Sequence, residues 1–134
     1  VVGDANVLLS ASIGGRALLV LMAELSPLCC SPVAVRDEVA EHLPRLAARR
    51  GIDPNLVEAQ FHELPVLWVG IETYGGMEAR ARTLMASRDI DDWPVVALAL
   101  TLGLPIWTQD KDFVASGLTT YTTGELLDAA RSDS

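Results

Sequence analysis

Residues 89–113 read DIDDWPVVALALTLGLPIWTQDKDF, and this stretch predicts a helix followed by a short strand. Asp92 precedes a Trp-Pro pair, which is typical of a helix start, because aspartate caps free amide groups and the missing N–H of proline costs little in the first turn. Gly103 predicts the end of this helix. Residues 106–108 are β-branched and aromatic, so they predict a short buried strand.

Acidic residues lie at both ends of this unit. Asp92 begins the helix, while Asp110 and Asp112 follow the strand. Carboxylates held close together raise each other's pKa unless a cation shares them, and their oxygens suit a hard divalent metal. A second interpretation stays open at this point, because aspartates in such places often serve only as helix caps and turn formers.

The start of the chain repeats the pattern of a strand followed by an acid. Residues 1–3 predict a buried strand that ends close to Asp4, which is a site position in α/β folds. The Gly14-Gly15 pair precedes a predicted helix over residues 16–25. Residues 28–30 predict a second strand, and Ser31 with the proline after it predicts the start of the next helix.

Glu38 lies close to the apolar stripe of that second helix, beside Val39. A carboxylate at such a boundary must be paired, solvated through a cleft or bound to a cation. A surface position that reaches water is an equally good explanation of the same pattern. Glu41 is the less favoured alternative three residues on, and Pro44 predicts that the helix is kinked or restarted.

The remaining segments keep alternating between helix and strand. Asp53 begins a predicted helix, residues 65–69 predict a third strand, and a helix precedes the 89–113 stretch. Residues 118–121 predict a fifth strand before a last helix. We therefore expect one α/β domain over residues 1–134, with a parallel sheet covered on both faces and the acids gathered where the strand order reverses.

Composition limits the classes of function. The net charge of −8 argues against nonspecific nucleic-acid binding through charge alone. Cys29 and Cys30 are adjacent, so buried free thiols and a reducing compartment are expected. The apolar runs are too short for a membrane span, and we expect a soluble, cytoplasmic protein. All basic residues except Lys111 are arginines, and several fall in two groups: Arg45, Arg49, Arg50 and Arg80, Arg82, Arg88.

With these residues in hand the chain resembles the PIN-domain family, the metal-dependent nuclease fold that includes toxin ribonucleases of toxin-antitoxin pairs. The resemblance covers essentially the whole chain. Its carriers are residues 4–8, Glu38, residues 89–100 and residues 108–113. The last two blocks are specific in combination, whereas any one alone is weak.

The resemblance implies a three-layer α/β/α domain with a mostly parallel five-stranded sheet, and a cluster of acids that binds Mg²⁺ or Mn²⁺ and cleaves RNA by hydrolysis of a phosphodiester. The acids that match the family pattern, as metal ligands and catalytic groups, are Asp4, Glu38, Asp92, Asp110 and Asp112. Asp89 and Asp91 leave the register of the helix-start ligand open. Asn6 and Thr108 are expected to hydrogen-bond to the acids.

The partners implied by the resemblance are RNA, an antitoxin protein and a second copy of the chain. Carboxylates cannot bind phosphate themselves, so basic residues near the crevice must position the RNA backbone. Either arginine group can supply them, and the candidates that we select are Arg80, Arg82, Arg88 and Lys111. No membrane partner is expected.

Two other functions compete with the nuclease. One is a catalytically silent PIN-like domain kept for binding or dimerisation. The other is an aspartyl-phosphate phosphotransfer domain, with Asp4 as the nucleophile and Lys111 neutralising the phosphate. The second lacks the neighbouring acid that this chemistry normally needs, because Asn6 stands two residues after Asp4.

Overall fold

A computed structural model describes residues 1–23, 28–85 and 90–132 of the chain. The strands found there are β1 (Val2–Gly3), β2 (Cys29–Pro32), β3 (Val66–Val69), β4 (Ile106–Trp107) and β5 (Thr120–Tyr121). They form one sheet in the order β3-β2-β1-β4-β5, and every pair of neighbours is parallel. The α/β prediction is confirmed, and the sheet in the described residues is wholly rather than mostly parallel.

The strand order reverses beside β1. The chain moves from β1 outward through β2 to β3, then returns to place β4 on the opposite side of β1. Val2 consequently lies opposite both Cys30 and Ile106. The carboxyl ends of β1 and β4 are neighbours at this reversal, which is where open parallel sheets form their ligand crevices.

Helices fill the connections between the strands. Those found in the described residues are α1 (Ala5–Ser12), α2 (Arg16–Met22), α3 (Val33–Arg50), α4 (Pro54–Glu63), α5 (Ile71–Tyr74), α6 (Glu78–Leu84), α7 (Trp93–Leu102), α8 (Lys111–Val114) and α9 (Thr123–Ser132). The first four pack against one another, and α2 also contacts α9. Helices α5 and α6 pack on α7, which lies against β1, β2 and β4.

Helix α7 is the most buried helix of the protein. Residues 94–99 are all buried, so apolar side chains surround it instead of forming one stripe. Each fully buried Val or Leu contributes about 1.5–3 kcal/mol to burial of apolar surface. The helix is therefore fixed in place, and its first turn holds Asp92 and Trp93 at a defined position beside β1.

No single helix in the described residues is long and apolar enough to cross a membrane. Only α1 and α2 taken together pass on length and composition, and their axes are bent by 90° at the break between them.

Helix α1 was missed by the sequence analysis, which placed only an apolar group after Asp4. The structure explains this segment through its cap. The Asp4 carboxylate accepts a hydrogen bond from the backbone N–H of Val7, so the residue that ends the strand also starts a helix. The helix predicted over residues 16–25 ends at Met22, and residues 24–27 lie outside the described part of the chain.

The prediction that Ser31 caps α3 is wrong. Strand β2 continues through Pro32, which pairs with Val69, and the helix begins one residue later without a side-chain cap. The Ser31 hydroxyl instead donates to the carbonyl oxygen of Gly3 at 2.8 Å. Pro44 neither ends nor restarts the helix, since α3 runs through it to Arg50.

Candidate active site

Asp4 is a buried carboxylate at the carboxyl end of β1. Only 4% of its surface is exposed. One carboxylate oxygen, Oδ1, accepts the backbone N–H of Val7 at 3.0 Å, and the other, Oδ2, accepts the hydroxyl of Thr108. The backbone N–H of Asp4 donates to the carbonyl of Trp107, which extends the pairing of β1 with β4 by one residue. Both carboxylate oxygens are thus held in a fixed orientation.

Thr108 joins Asp4 to Asp110 across the sheet reversal. The threonine oxygen that donates to Asp4 also accepts the backbone N–H of Asp110 at 2.9 Å. Asp110 caps α8, and its Oδ1 accepts the backbone N–H of Asp112 at 2.9 Å. Three predicted site residues therefore form one continuous chain of hydrogen bonds, although Asp4 and Thr108 are 104 positions apart.

The electrostatics of Asp4 follow from this environment. Burial raises the pKa of the Asp4 carboxyl above its ordinary value, and the negative charge of Asp110 raises it further. The hydrogen bonds from Thr108 and from the amide of Val7 act in the opposite direction but do not cancel the effect of burial. An ionised Asp4 is consequently costly in the folded protein, and a nearby cation would lower that cost.

A second group of acids borders the same region. Glu38, Asp91 and Asp92 line a cavity of about 60 Å³ between the starts of α3 and α7. Ala5, the residue after Asp4, also lines it, so the cavity adjoins the end of β1. Asp91 is exposed and Asp92 is half-buried. Both aspartates border this cavity, and Glu41 is not among the described residues in its lining.

Aromatic and cationic contacts fix the start of α7 beside these acids. The ring of Trp93 lies 5.8 Å from the ring of Tyr74, measured between centroids. The guanidinium carbon of Arg82 lies 5.3 Å from the centroid of a Trp93 ring, within the range of a cation–π interaction. Arg82 Nε also donates to Glu78 Oε2 at 2.8 Å. The residue after Asp92 is therefore held from two sides.

The chemistry of these side chains fits a divalent metal. Every candidate ligand is a carboxylate, the donor that Mg²⁺ and Mn²⁺ prefer in proteins. The repulsion between Asp4 and Asp110 is also what a bound cation would relieve. In residues 1–23, 28–85 and 90–132, however, no three or more of the His, Cys, Asp and Glu side chains are already arranged as metal ligands.

The predicted phosphate-binding residues occupy different surroundings. Arg80 and Lys111 are exposed, on α6 and at the first position of α8. Arg82 is half-buried in the contacts with Glu78 and Trp93 described above. Arg88, like Asp89, lies outside the described residues. Asn6 is exposed in the first turn of α1 and lines a larger cleft that extends along α1 and α3.

Two supporting residues were missed by the sequence analysis. The Ser31 hydroxyl holds the carbonyl of Gly3, which fixes the end of β1 against β2. Gln109 Oε1 accepts the backbone N–H of Thr123 at 2.7 Å, which ties the loop between Thr108 and Asp110 to the start of α9. Each partner is at least 14 positions away, so no local pattern in the sequence could have indicated either contact.

Comparison with known proteins identifies the family. A family model of the PIN domain matches residues 1–130. The chain belongs to the PIN-domain family. PIN domains are generally nucleases and typically bind divalent metals, which agrees with the carboxylates found at the sheet reversal.

One solved structure supports the same fold. The crystal structure of FitAcB from Neisseria gonorrhoeae superposes with a TM-score of 0.62 over 92% of this PIN domain and 97% of that chain. The two sequences are 15% identical, so the likeness concerns the fold alone. No curated protein matches the sequence.

Proposed function

We propose that this PIN domain is a divalent-metal-dependent ribonuclease that hydrolyses RNA phosphodiesters as an endonuclease. The observation that carries the proposal is the hydrogen-bonded chain from Asp4 through Thr108 to Asp110 at the sheet reversal. A buried acid with a raised pKa and a neighbouring acid is costly for a fold, and such arrangements concentrate at functional sites. Membership of a family of nucleases gives that site its reaction class.

The proposed metal ligands are Asp4, Glu38, Asp92, Asp110 and Asp112, and the proposed metal is Mg²⁺ or Mn²⁺. The ion would supply positive charge against the phosphate and make a bound water more acidic. Thr108 orients the Asp4 carboxylate through its hydroxyl, so the charged oxygens are already in place before a substrate arrives. Asn6, two residues after Asp4, lies where it can contact the RNA entering the site.

The proposed biological role is that of the toxin in a toxin-antitoxin pair, acting in the cytoplasm and held inactive by an antitoxin protein. This role rests on the resemblance of the acidic blocks to those of toxin ribonucleases. Expression of the wild-type chain should then arrest growth of a bacterial host, whereas expression of the Asp92→Asn variant should not. Equal growth with both chains would contradict the toxin role and leave the ribonuclease proposal untouched.

We also propose that the chain forms a homodimer through its first helices. Leu19 and Met22 on α2 are 59% and 68% exposed, which is unusual for large apolar side chains that lie close together. A molar mass measured by light scattering should equal twice that of the 14.4 kDa chain. Replacement of both side chains by lysine should halve it. A monomeric wild type would rule out this part of the proposal.

The ribonuclease itself is tested with one pair of matched variants. Asp92→Asn removes a carboxylate from the proposed site at the start of α7. Asp53→Asn makes the same chemical change at the exposed start of α4, where asparagine caps as well as aspartate. Mn²⁺ and Mg²⁺ are titrated into all three proteins while the melting temperature is followed, and the same samples receive a mixed structured RNA.

The expected result is stabilisation by metal and cleavage of RNA in the wild type and in Asp53→Asn, with both lost in Asp92→Asn. Binding of metal to the folded state alone raises its stability by mass action, which makes the melting temperature a readout independent of activity. A wild type that neither metal stabilises and that leaves RNA intact would refute the proposal in favour of a binding module.

A further inference from the structure

A cleft of about 520 Å³ separates α1 from α3. We call it the α1–α3 cleft. Its lining includes Asn6 and Leu9 from α1, and Glu38, Leu46, Arg49 and Arg50 from α3. The α3 residues recur every three or four positions from residue 38 to residue 50, so they lie on one face of the helix. The cleft is therefore a groove with a polar end, an apolar middle and a cationic end.

The two ends of the groove have a defined orientation. Helices α1 and α3 each begin at the carboxyl end of a parallel strand, so both run away from the sheet reversal in the same direction. Asn6 and Glu38 consequently lie near the proposed active site, while Arg49 and Arg50 lie at the far end. The axial distance from Glu38 to Arg49 is roughly 16 Å, from eleven residues at the helical rise.

Glu38 connects this groove to the acids. It lines both the α1–α3 cleft and the small cavity that contains Asp91 and Asp92. A chain-like ligand whose reactive bond lies at the acids can thus continue along α3 without crossing another element. Among the described residues in the cleft lining, Glu38 is the one acid, against two arginines and His42. Its charge is therefore opposite to that of the protein as a whole, which is −8.

We propose that the α1–α3 cleft binds the single-stranded RNA beside the cut, with Arg49 and Arg50 on a phosphate a few nucleotides away from the one that is hydrolysed. This inference rests on the proposed ribonuclease function. Arginine offers a planar fork of donors for phosphate oxygens, and the leucines between the two ends offer an apolar surface for a base. Neither arginine reaches the acids themselves, so both act in binding and positioning.

A merely structural role for the arginines predicts something different. Arg49 and Arg50 lie in the last turn of α3, where positive charge stabilises the helix dipole. That role affects the melting temperature and leaves the dependence of RNA binding on salt unchanged. A third explanation is that the groove takes an acidic polypeptide, in which case a polymer of glutamate should bind as well as RNA does.

The test measures RNA binding by fluorescence anisotropy in the Asp92→Asn background with EDTA, so that no cleavage occurs. The probe is an unstructured single strand of about a dozen nucleotides, the upper part of the range for such sites. Arg49→Ala/Arg50→Ala is compared with Arg36→Ala/Arg45→Ala, which removes the same charge from the same helix outside the cleft lining as the structure describes it. Melting temperatures of all the proteins show that they are folded.

The cleft variant should bind RNA several-fold more weakly. Its slope of log affinity against log salt should be shallower by about 1.4 if two phosphate contacts on a single strand are lost. The control should keep the slope of the parent, and Arg49→Lys/Arg50→Lys should keep most of it. For a dinucleotide, which cannot span the groove, the cleft variant and the control should bind alike.

Three results would overturn the assignment: equal slopes in the cleft variant and the control, no loss in either, or a polyglutamate that binds the wild type as tightly as RNA. Cleavage by the otherwise unchanged wild type separates the two proposals. If the wild type cuts RNA but the slopes are equal, the cleft assignment fails alone. If the wild type cuts nothing while Arg49 and Arg50 still govern RNA binding, the ribonuclease fails and the binding site stands.

Discussion

Replacing Asp4 by asparagine and by alanine separates the charge of this side chain from its hydrogen bonds. Asparagine keeps an oxygen for the Val7 amide and places an amide group toward the Thr108 hydroxyl, while it removes the charge. Alanine removes the charge and both contacts. Because the folded protein raises the pKa of Asp4, the ionised carboxylate lowers stability at neutral pH, and this cost disappears as the pH falls toward 3.8.

The magnitude follows from the contacts. Loss of the N-cap bond to Val7 costs about 0.5–2 kcal/mol. The buried Thr108 hydroxyl then lacks its acceptor, which costs about 1–3 kcal/mol. The gain from removing the charge is common to both variants, so Asp4→Ala should be less stable than Asp4→Asn by about 2–3 kcal/mol, or roughly 10 °C in melting temperature for a chain of this length.

The assay is thermal unfolding followed by circular dichroism at neutral pH in EDTA, so that bound metal does not contribute. We expect Asp4→Asn to melt at or above the wild type, Asp4→Ala to melt below both, and neither variant to cleave RNA when metal is restored. An Asp4→Asn protein as unstable as Asp4→Ala would show that the charge supports the fold. Wild-type cleavage by Asp4→Asn would refute its place in the site.

Three other predictions concern single positions. Thr108→Val, which leaves the Asp110 amide and the Asp4 carboxylate without the shared hydroxyl, should cost about 1–3 kcal/mol in chemical denaturation, while Thr108→Ser should cost much less. Burial raises the pKa of Cys29 from 9.0 to about 12, so stability should fall by up to about 1.4 kcal/mol per pH unit above pH 9, and Cys29→Ala should remove that part of the slope. Gly103→Ala should cost about 1 kcal/mol because its φ is +66°, whereas Gly76→Ala, which also meets open space but lacks a positive φ, should be stabilising by about 0.4–1 kcal/mol. Equal effects at the two glycines would contradict this reasoning.

The sequence was sufficient for the fold because its rules are local and then topological. Apolar strands, helix caps and short connections predicted a parallel sheet, and the position of Asp4 and Asp110 after two strands predicted that they lie near the reversal of strand order. The structure places them there, joined by Thr108. Such positions can be read from a sequence because the carboxyl ends of parallel strands lie on one side of the sheet.

The parts that the sequence did not predict depend on contacts between distant elements. Helix α1 was missed because its start is set by the carboxylate that also ends β1, and one residue cannot be assigned to both from its neighbours alone. Ser31 has the sequence of a helix cap, but β2 extends past it to pair with β3. The choice between Asp91 and Asp92 stays open for a physical reason, since both border the same cavity.

The arginines show the same limit for binding sites. Glu38, Leu46 and Arg49 could have been placed on one face of α3 from their spacing, but only the packing of α1 against that face makes it a groove. The sequence analysis selected Arg80, Arg82, Arg88 and Lys111 as phosphate ligands because clustering was the visible signal. In the structure Arg82 contacts Trp93 and Glu78, where it stabilises the start of α7.

The distribution of charge also explains how an acidic protein can act on RNA. The net charge of −8 acts at long range and slows the encounter with a polyanion. Salt screens charges beyond about 8 Å under physiological conditions, so an RNA strand already in the α1–α3 cleft interacts mainly with Arg49, Arg50 and the groups beside them. The acids at the other end of the groove repel the same strand until a divalent cation offsets them. Metal and arginines thus act at opposite ends of one groove, and RNA affinity should depend on both together.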